Sequence, residues 1–461
     1  MIGKTRTQTR RAVRPWFSRW VLIALVMVGS WTAVAEPLSS KDRRYLSGVY
    51  QDSWACLAHF VSPTSGLPYD TSRRAPSTST GNAGVYLAAC AVASRTGLLP
   101  ESDAKARIET VLSSLEKWPR FLSGFPVTWV NADTLAATAP SFSTVDALSN
   151  LTAGLLVVKG IKPEYAVRID KLLTPMNWGD LYDPDRGLYK GGWDLIKRDF
   201  QVQQKGWRWY YGDLASETRF GYLWGIGTGA IPLESWGALA QRTEAKFGFN
   251  YFTPGGAGGL GPSLVTGMFV DERDTSLGRS AAHYAWAQWT NAQQIGAPAW
   301  GSSPSESPDG KEFLAYGTLT DDVVVPAGSG LASVYYPRQS AENLRRMEKK
   351  GVRIPWRENG RRRSFGFRDS WDWRTGRVSE VYTCANQAMM FLSLANVLHD
   401  GVVWKSVAAD PHIQRAIREI PDYGQRDPGL TALFAERDAQ PFKGPPKKKK
   451  IERSNPWLLT N

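Results

Sequence analysis

Between Asp103 and Trp118 the chain reads DAKARIETVLSSLEKW, which sets Ile108, Val111, Leu112 and Leu115 three and four residues apart. That spacing is one apolar stripe on an otherwise polar helix. The same periodicity predicts helices over 41–60, 81–97, 144–160, 163–175, 213–230, 234–247, 276–294, 328–350 with a break, 383–399 and 408–418. Between them run loops rich in Gly, Pro, Trp and Tyr, and the glycine stretch TPGGAGGLGPS at 253–263 reads as one of these loops. No linker interrupts the helical pattern, so residues 36–441 read as one all-α domain.

A small motif recurs in the loops. SPTSGLPYD from Ser62, DPDRGLYKGG from Asp183 and DWRTGRVSEVY from Asp372 each place a polar starter four residues before a glycine. The starter side chain caps a tight turn and the glycine takes positive φ as the chain reverses, so Asp183 and Asp372 read as turn residues before they read as catalysts.

Charge alters the picture only at the two ends. Residues 1–35 carry six Lys/Arg and no acid, and the stretch from Phe442 carries six more against Glu452. Of the formal +13, about +2 is left for the 406 residues between, so the body carries no nucleic-acid signature. The cationic start, the apolar run VLIALVMVGSWTAVA and the small residues Ala33 and Ala35 form a secretory signal, with cleavage after Ala35 and a periplasmic or secreted destination. An uncleaved anchor would be the chain's one tie to a membrane, although the run is short for a span. Residues 442–461, rich in Pro and Lys, read as a disordered basic tail.

Cys56 and Cys90 lie in apolar helical stretches and, with Cys384, allow at most one disulfide; buried free thiols are the simpler reading. Four scattered histidines show no ligand spacing, so neither a metal nor a cofactor is expected.

Twenty tryptophans are unusual, and many stand in loops beside charged or glycine residues: Trp129, Trp178, Trp193, Trp207, Trp209, Trp371 and Trp373. Sugar rings stack on aromatic faces through their C–H surfaces, so this composition suits an oligo- or polysaccharide cleft, with core packing as the alternative for each ring. Glycoside hydrolysis needs two carboxyl groups, one protonated and one ionised. Asp146 in STVDALSN falls in the first turn of a helix, where the helix dipole favours its charged form. Glu217 in ASETRFGYLWG opens an aromatic helix, where desolvation raises a carboxyl toward an acid's range; the plainer reading is a salt bridge to Arg219 or another Arg. Asp271, Glu272 and Asp274 form a charged loop, solvated or lining a cleft. Asp369, between Arg368 and Ser370, reads as a carboxylate kept ionised for a base.

The order of these segments adds to their meaning. SPTSGLPYD, GFPVTWVNADTL, STVDALSNLTAGLLV, SETRFGYLWGIGTGAIPLESWG and RRSFGFRDSWDWRTGRVSEVYTCANQAMMFL together resemble an exported bacterial family of unknown function over about residues 45–405. More distantly they resemble the glucoamylase-like (α/α)6-barrel group that includes the endo-β-1,2-glucanases. The resemblance implies an (α/α)6 toroid with short β-hairpin loops around its cleft. It implies Glu217 as general acid, Asp369 in the Gly-Phe-Arg-Asp-Ser-Trp loop as general base, and Asp146 in the substrate region. Trp129, Trp178, Trp193, Trp209, Tyr222, Arg368 and Trp371 complete the expected substrate contacts. The expected activity is inverting hydrolysis of a bacterial glucan or exopolysaccharide. Two other readings stand beside it: a non-catalytic glycan-binding protein working with polysaccharide-building machinery, and a lyase using Arg, Tyr and His283.

Overall fold

From Thr80 to Ala93 every residue is buried, and the segment around Leu148 to Val158 is nearly as enclosed. Helices buried on all sides form an inner layer, whereas the one-faced helices lie outside them. The computed structural model describes residues 38–443 apart from 74–75, 122–123, 139–141, 195–197, 201, 204–206, 209, 256–257, 318, 320–321 and 359–360. In chain order the principal helices are α1 Ser40–His59, α2 Thr80–Arg95, α3 Glu101–Glu116, α4 Val145–Ile161, α5 Ala166–Leu173, α6 Arg219–Thr228, α7 Leu260–Phe269, α8 Ser276–Gln294, α9 Pro326–Ala332, α10 Pro337–Lys349 and α11 Cys384–Leu398.

The inner layer is a closed ring of α2, α4, α6, α7, α9 and α11, with α11 returning to α2. Between α6 and α7 the ring is joined by Phe220 and Phe269, whose centroids lie 5.7 Å apart. Outside it, α1 covers α11, α3 covers α2, α5 covers α4, and the helix Pro411–Glu419 covers α6. This is the (α/α)6 toroid that the sequence implied. The strands are two to four residues long and pair as small antiparallel hairpins and ribbons. Cys56, Cys90 and Cys384 are buried free thiols.

Two inner-helix backbones come into contact where α2 crosses α4. A Cβ on Gly154 would stand 2.0 Å from the Gly84 carbonyl oxygen, and one on Gly84 would stand 2.5 Å from Leu151 Cα. Only a missing side chain lets two backbones approach so closely.

Three expectations need correction. The helix predicted over 213–230 begins at Arg219, because 213–218 form a turn. The helix predicted over 234–247 stops at Gly237, and Thr243–Lys246 pairs with Phe249–Phe252 instead. Phe247 and Gly248 both have positive φ, the geometry that twists a two-residue hairpin correctly, and it overrides the helix propensity of the preceding Ala, Glu and Lys. Finally α7 starts inside the glycine stretch read as loop. Its glycines make room for neighbours, as where the Gly261 N–H donates to Ser303 Oγ at 2.9 Å.

The repeated turn is present three times as read. The glycine N–H bonds back to the starter's carbonyl at 3.0 Å for Gly66, 2.8 Å for Gly187 and 2.9 Å for Gly376. Each starter side chain accepts from the backbone N–H groups two and three residues on. A fourth copy runs from Asn131 to Leu135, with leucine at φ 60° where the others have glycine.

Gly154→Ala is expected to cost about 3 kcal/mol or more, since neither backbone can retreat. Gly376→Ala, at φ 78° with open space around the added methyl, should cost only about 1 kcal/mol. Urea denaturation of the two variants against the parent chain separates the two effects.

Candidate active site

The inner helices all begin at the same end of the ring. The Thr80 N–H donates to Thr128 O and the Thr144 N–H to Thr128 Oγ1, which ties the starts of α2 and α4 together. Asn82 of α2 donates to Asp70 Oδ1 at 2.8 Å, and the Cys384 N–H at the start of α11 donates to Asp70 O at 2.9 Å. Four carboxyl groups gather at this end: Asp70, Asp146, Glu217 and Asp369.

Glu217 sits in the turn just before α6. That turn is pinned by the hydrogen bond of 2.8 Å between Ser216 Oγ and Thr218 Oγ1, and by the Gly221 N–H donating to Thr218 O. Burial of its carboxyl pushes Glu217 up to about 7, and the negative neighbours Asp146 and Asp213 add to the rise. Asp146 lies half-buried in the first turn of α4 and accepts from the Tyr211 hydroxyl at 3.1 Å. Asp213 is bound by Arg242. The salt bridge to Arg219 weighed from the sequence is not made: Arg219 turns away and pairs with Glu272. Glu272 is therefore buried, 1% exposed, rather than part of a solvated charged loop.

Asp369 is 2% exposed and held on both oxygens. Oδ1 accepts from Thr383 Oγ1 at 2.6 Å and Asn386 Nδ2 at 3.0 Å, and Oδ2 accepts from the Glu306 N–H at 2.7 Å. Burial pushes its pKa up to about 6, with these donors opposing the rise and Asp70 adding to it. The neighbours expected to keep it ionised do other work. Arg368 donates to the Glu380 carbonyl and lies 4.5 Å over the Tyr382 ring, while Ser370 donates to the Glu306 carbonyl. Sequence reasoning missed Thr383, Asn386 and Asp70. The signal for the first two was Thr383 as cap of α11, since a capping residue and the first turn of an inner helix face this end.

Comparison with known proteins follows this geometry. Residues 270–411 match the family Glycoamylase, described as "Putative glucoamylase", and residues 49–205 match "Protein of unknown function (DUF3131)". An endo-β-1,2-glucanase from Chitinophaga pinensis superposes with a TM-score of 0.71 at 16% identity, covering 82% of this chain and 98% of the other. A protein described as a "putative glucoamylase" from Bacteroides uniformis gives 0.71 at 16% identity, with 82% and 97% covered. An endo-β-1,2-glucanase from Talaromyces funiculosus gives 0.62 at 13%, with 89% and 94% covered. The chain has the (α/α)6 toroid fold of these structures. In sequence it is also 25% identical, over 343 residues, to the cyclic β-(1,2)-glucan synthase NdvB of Rhizobium meliloti; these cover 69% of this chain and 11% of that relative. The chain thus spans about a tenth of the length of the curated relative it matches.

Within this toroid the expected substrate contacts divide. Trp129 and Trp193 are half-buried, on strands paired beside the starts of α2 and α4, and Trp193 stacks on Phe121 with planes 8° apart. Trp178, Tyr222, Arg368 and Trp371, also expected as substrate contacts, are buried. Trp178 packs against Phe125 and Tyr189, and Trp371 lies in a strand paired with Val323–Val324. Tyr222 donates to the Tyr211 carbonyl at 2.7 Å and so fixes the residue whose hydroxyl reaches Asp146. Trp209 lies outside the described residues. His283, invoked for a lyase, sits on α8 beside Phe249, with Nδ1 on the Asn250 carbonyl.

An open groove of about 800 Å³ runs past Ser307, Glu312, Tyr316, Asp372 and Arg377; Ser307 follows Glu306 directly, and Asp372 comes three residues after Asp369. At the other ends of the inner helices a cavity of about 550 Å³ is lined by Phe269, Ser333, Asn396 and Trp404. Three of its four cations pair with carboxylates, Arg273 with Asp271, Arg426 with Asp274 and Lys405 with Asp400, while Arg43 donates to the Leu398 carbonyl. The desolvated carboxyl groups of Glu217 and Asp369 lie at the end where the inner helices begin, not in this cavity.

A carboxyl raised above its unfolded value contributes stability below that unfolded value and loses it as pH rises through the folded value. Glu217→Gln should therefore stabilise the protein relative to the parent at pH 8, by about 1–3 kcal/mol, with little difference at pH 5. Thermal melts of both proteins across this range check the sign.

Proposed function

We propose that the protein is a glycoside hydrolase acting on a β-linked glucan, with Glu217 donating a proton to the leaving oxygen and Asp369 acting as general base. The observation that carries this reading is the pair of unlike carboxyl environments at one end of the ring. Glu217 is desolvated among negative neighbours and so keeps its proton near neutral pH. Asp369 is buried but receives three hydrogen bonds, which favour its charged form. Half-buried Trp129 and Trp193 offer stacking faces beside Asp146.

Inversion is the favoured outcome. A nucleophilic carboxylate must bring a free oxygen against the anomeric carbon, whereas both oxygens of Asp369 are engaged and the residue is almost fully covered. Such a group takes up a proton through an intervening water or sugar hydroxyl more readily than it forms a covalent bond. A β-1,2-linked glucan is the substrate favoured by likeness to the Chitinophaga and Talaromyces enzymes and to the β-(1,2)-glucan synthase. The likeness to a synthase also favours a second reading, that the domain holds a growing glucan without cleaving it. An export signal in residues 1–35 would put either activity in the periplasm.

The test is incubation with linear and cyclic β-1,2-glucan and a panel of bacterial polysaccharides. New oligosaccharides are expected, with Glu217→Gln and Asp369→Asn each lowering kcat by about 10³-fold or more, and α-anomeric product seen first by NMR. Tight binding without products selects the second reading, and undiminished products from both variants sink the assignment. The pH profile of kcat/KM should be bell-shaped. Activity is lost below about 6 as Asp369 protonates and above about 7 as Glu217 ionises.

A further inference from the structure

Behind Glu217 lies a fully enclosed ion pair that the proposed reaction does not use. Arg219, the first residue of α6, is 3% exposed, and Glu272, between α7 and α8, is 1% exposed. Arg219 Nη2 donates to Glu272 Oε2 at 2.7 Å and Nε to Oε1 at 3.3 Å, while the Tyr423 hydroxyl also donates to Oε1. The third arm of the guanidinium, Nη1, donates to the Leu214 carbonyl at 2.9 Å, and the Arg219 N–H donates to the Ser216 carbonyl. Arg219 thus holds the turn 214–218 at its start and at its middle, and Glu217 follows directly on the second of these contacts.

Stability alone gives little reason to bury such a pair, because an apolar pair of similar volume is often as stable or more so. The position of the pair gives a better reason. A guanidinium two residues from Glu217 would favour its ionised form if it were left uncompensated. Glu272 comes from a different part of the ring and draws that charge toward α8 and the helix Pro421–Gly424, which carries Tyr423.

We infer that Glu272 is a positioning residue for Glu217: it holds the Arg219 guanidinium against the Leu214 carbonyl and neutralises its charge there, so that the turn is fixed and Glu217 remains a proton donor. The inference rests on the proton-donor reading of Glu217. The charged and titratable groups around the two carboxylates are consistent with it. Glu217 faces Asp146 from α4, which accepts from Tyr211, and Asp213 from its own turn, which is bound by Arg242. Glu272 faces Arg219, Tyr423 and Tyr335, while its neighbours Asp271 and Asp274 are occupied by Arg273 and Arg426.

The test needs no substrate. Infrared difference spectra of the full-length protein are recorded through a pH titration, and the protonated-carboxyl band of Glu217 is identified by its loss in Glu217→Gln. The parent midpoint should lie at about 7. In Glu272→Gln, which strands the Arg219 charge, the midpoint should fall by about one pH unit. In the double variant Arg219→Met/Glu272→Gln it should return to within about half a unit of the parent. A folded Glu272→Gln whose midpoint does not move overturns the inference. If Glu272→Gln does not fold, the double variant decides: a midpoint near the parent's supports the inference, and a rise of about one unit or more overturns it, since Arg219 was then acting on Glu217 all along. Failure of both variants to fold assigns the pair to the fold and also overturns it. A parent Glu217 that titrates as an ordinary glutamate instead sinks the proton-donor reading, and missing glycan products leave this titration unaffected.

Discussion

Two backbones of the inner ring touch. At Gly84 and Gly154 the inner helices α2 and α4 approach within a distance that no side chain permits, and this sets how far apart their starting turns lie. From those turns come Asn82, which holds Asp70, and Asp146, whose charge bears on Glu217. Widening the crossing by a methyl would move both at once. The chemistry at the end of the ring therefore inherits its spacing from a contact in the middle of it.

Six helix starts at one end also create a conflict that the site exploits. The partial positive charge of each helix N-terminus favours carboxylates there, while closure of the ring removes the water that would solvate them. Asp369 and Glu217 resolve the conflict differently. Asp369 gains direct donors from Thr383, Asn386 and the Glu306 backbone, and its pKa stays only moderately high. Glu217 has Asp146 and Asp213 as electrostatic neighbours, and the cation nearest in sequence is paired elsewhere. One helix-end environment thus yields two carboxyl groups of different acidity through what stands beside each.

Most of the inner and outer helices were legible in the sequence, because burial on one face or on all faces leaves a periodic trace; α8 matches its expected span of 276–294. The recurrent turn was legible for a local reason, since its starter and its glycine lie within five residues. What could not be read depends on distant partners. The hairpin at 243–252 is decided by two positive-φ residues in a segment of good helix formers. The glycine stretch at the start of α7 looks like loop because its glycines answer to Ser303 and Tyr284 rather than to local structure. In the site, the positions of Glu217 and Asp369 at helix starts or adjoining loops were readable, but their partners were not. Arg219 is adjacent to Glu217 in sequence yet serves Glu272, and Thr383 is fourteen residues from the Asp369 it holds.

The tryptophan-rich composition carries the same distinction between what a residue type permits and where the fold puts it. Trp178, Trp236, Trp371 and Trp404 are core residues, and they bury large surfaces where wide loops meet the ends of short inner helices. Their indirect effect on the site is traceable. Trp178 packs on Tyr189, the Tyr189 N–H donates to the Tyr222 hydroxyl, and that hydroxyl donates to the Tyr211 carbonyl. Tyr211 in turn donates to Asp146, which raises Glu217. An aromatic core is well suited to this task, since rigid rings with one polar tip transmit position without adding flexible charge. The aromatic excess thus divides in two: Trp129 and Trp193 are half-buried beside the helix starts, and a larger buried set is the frame that keeps the acidic residues in register.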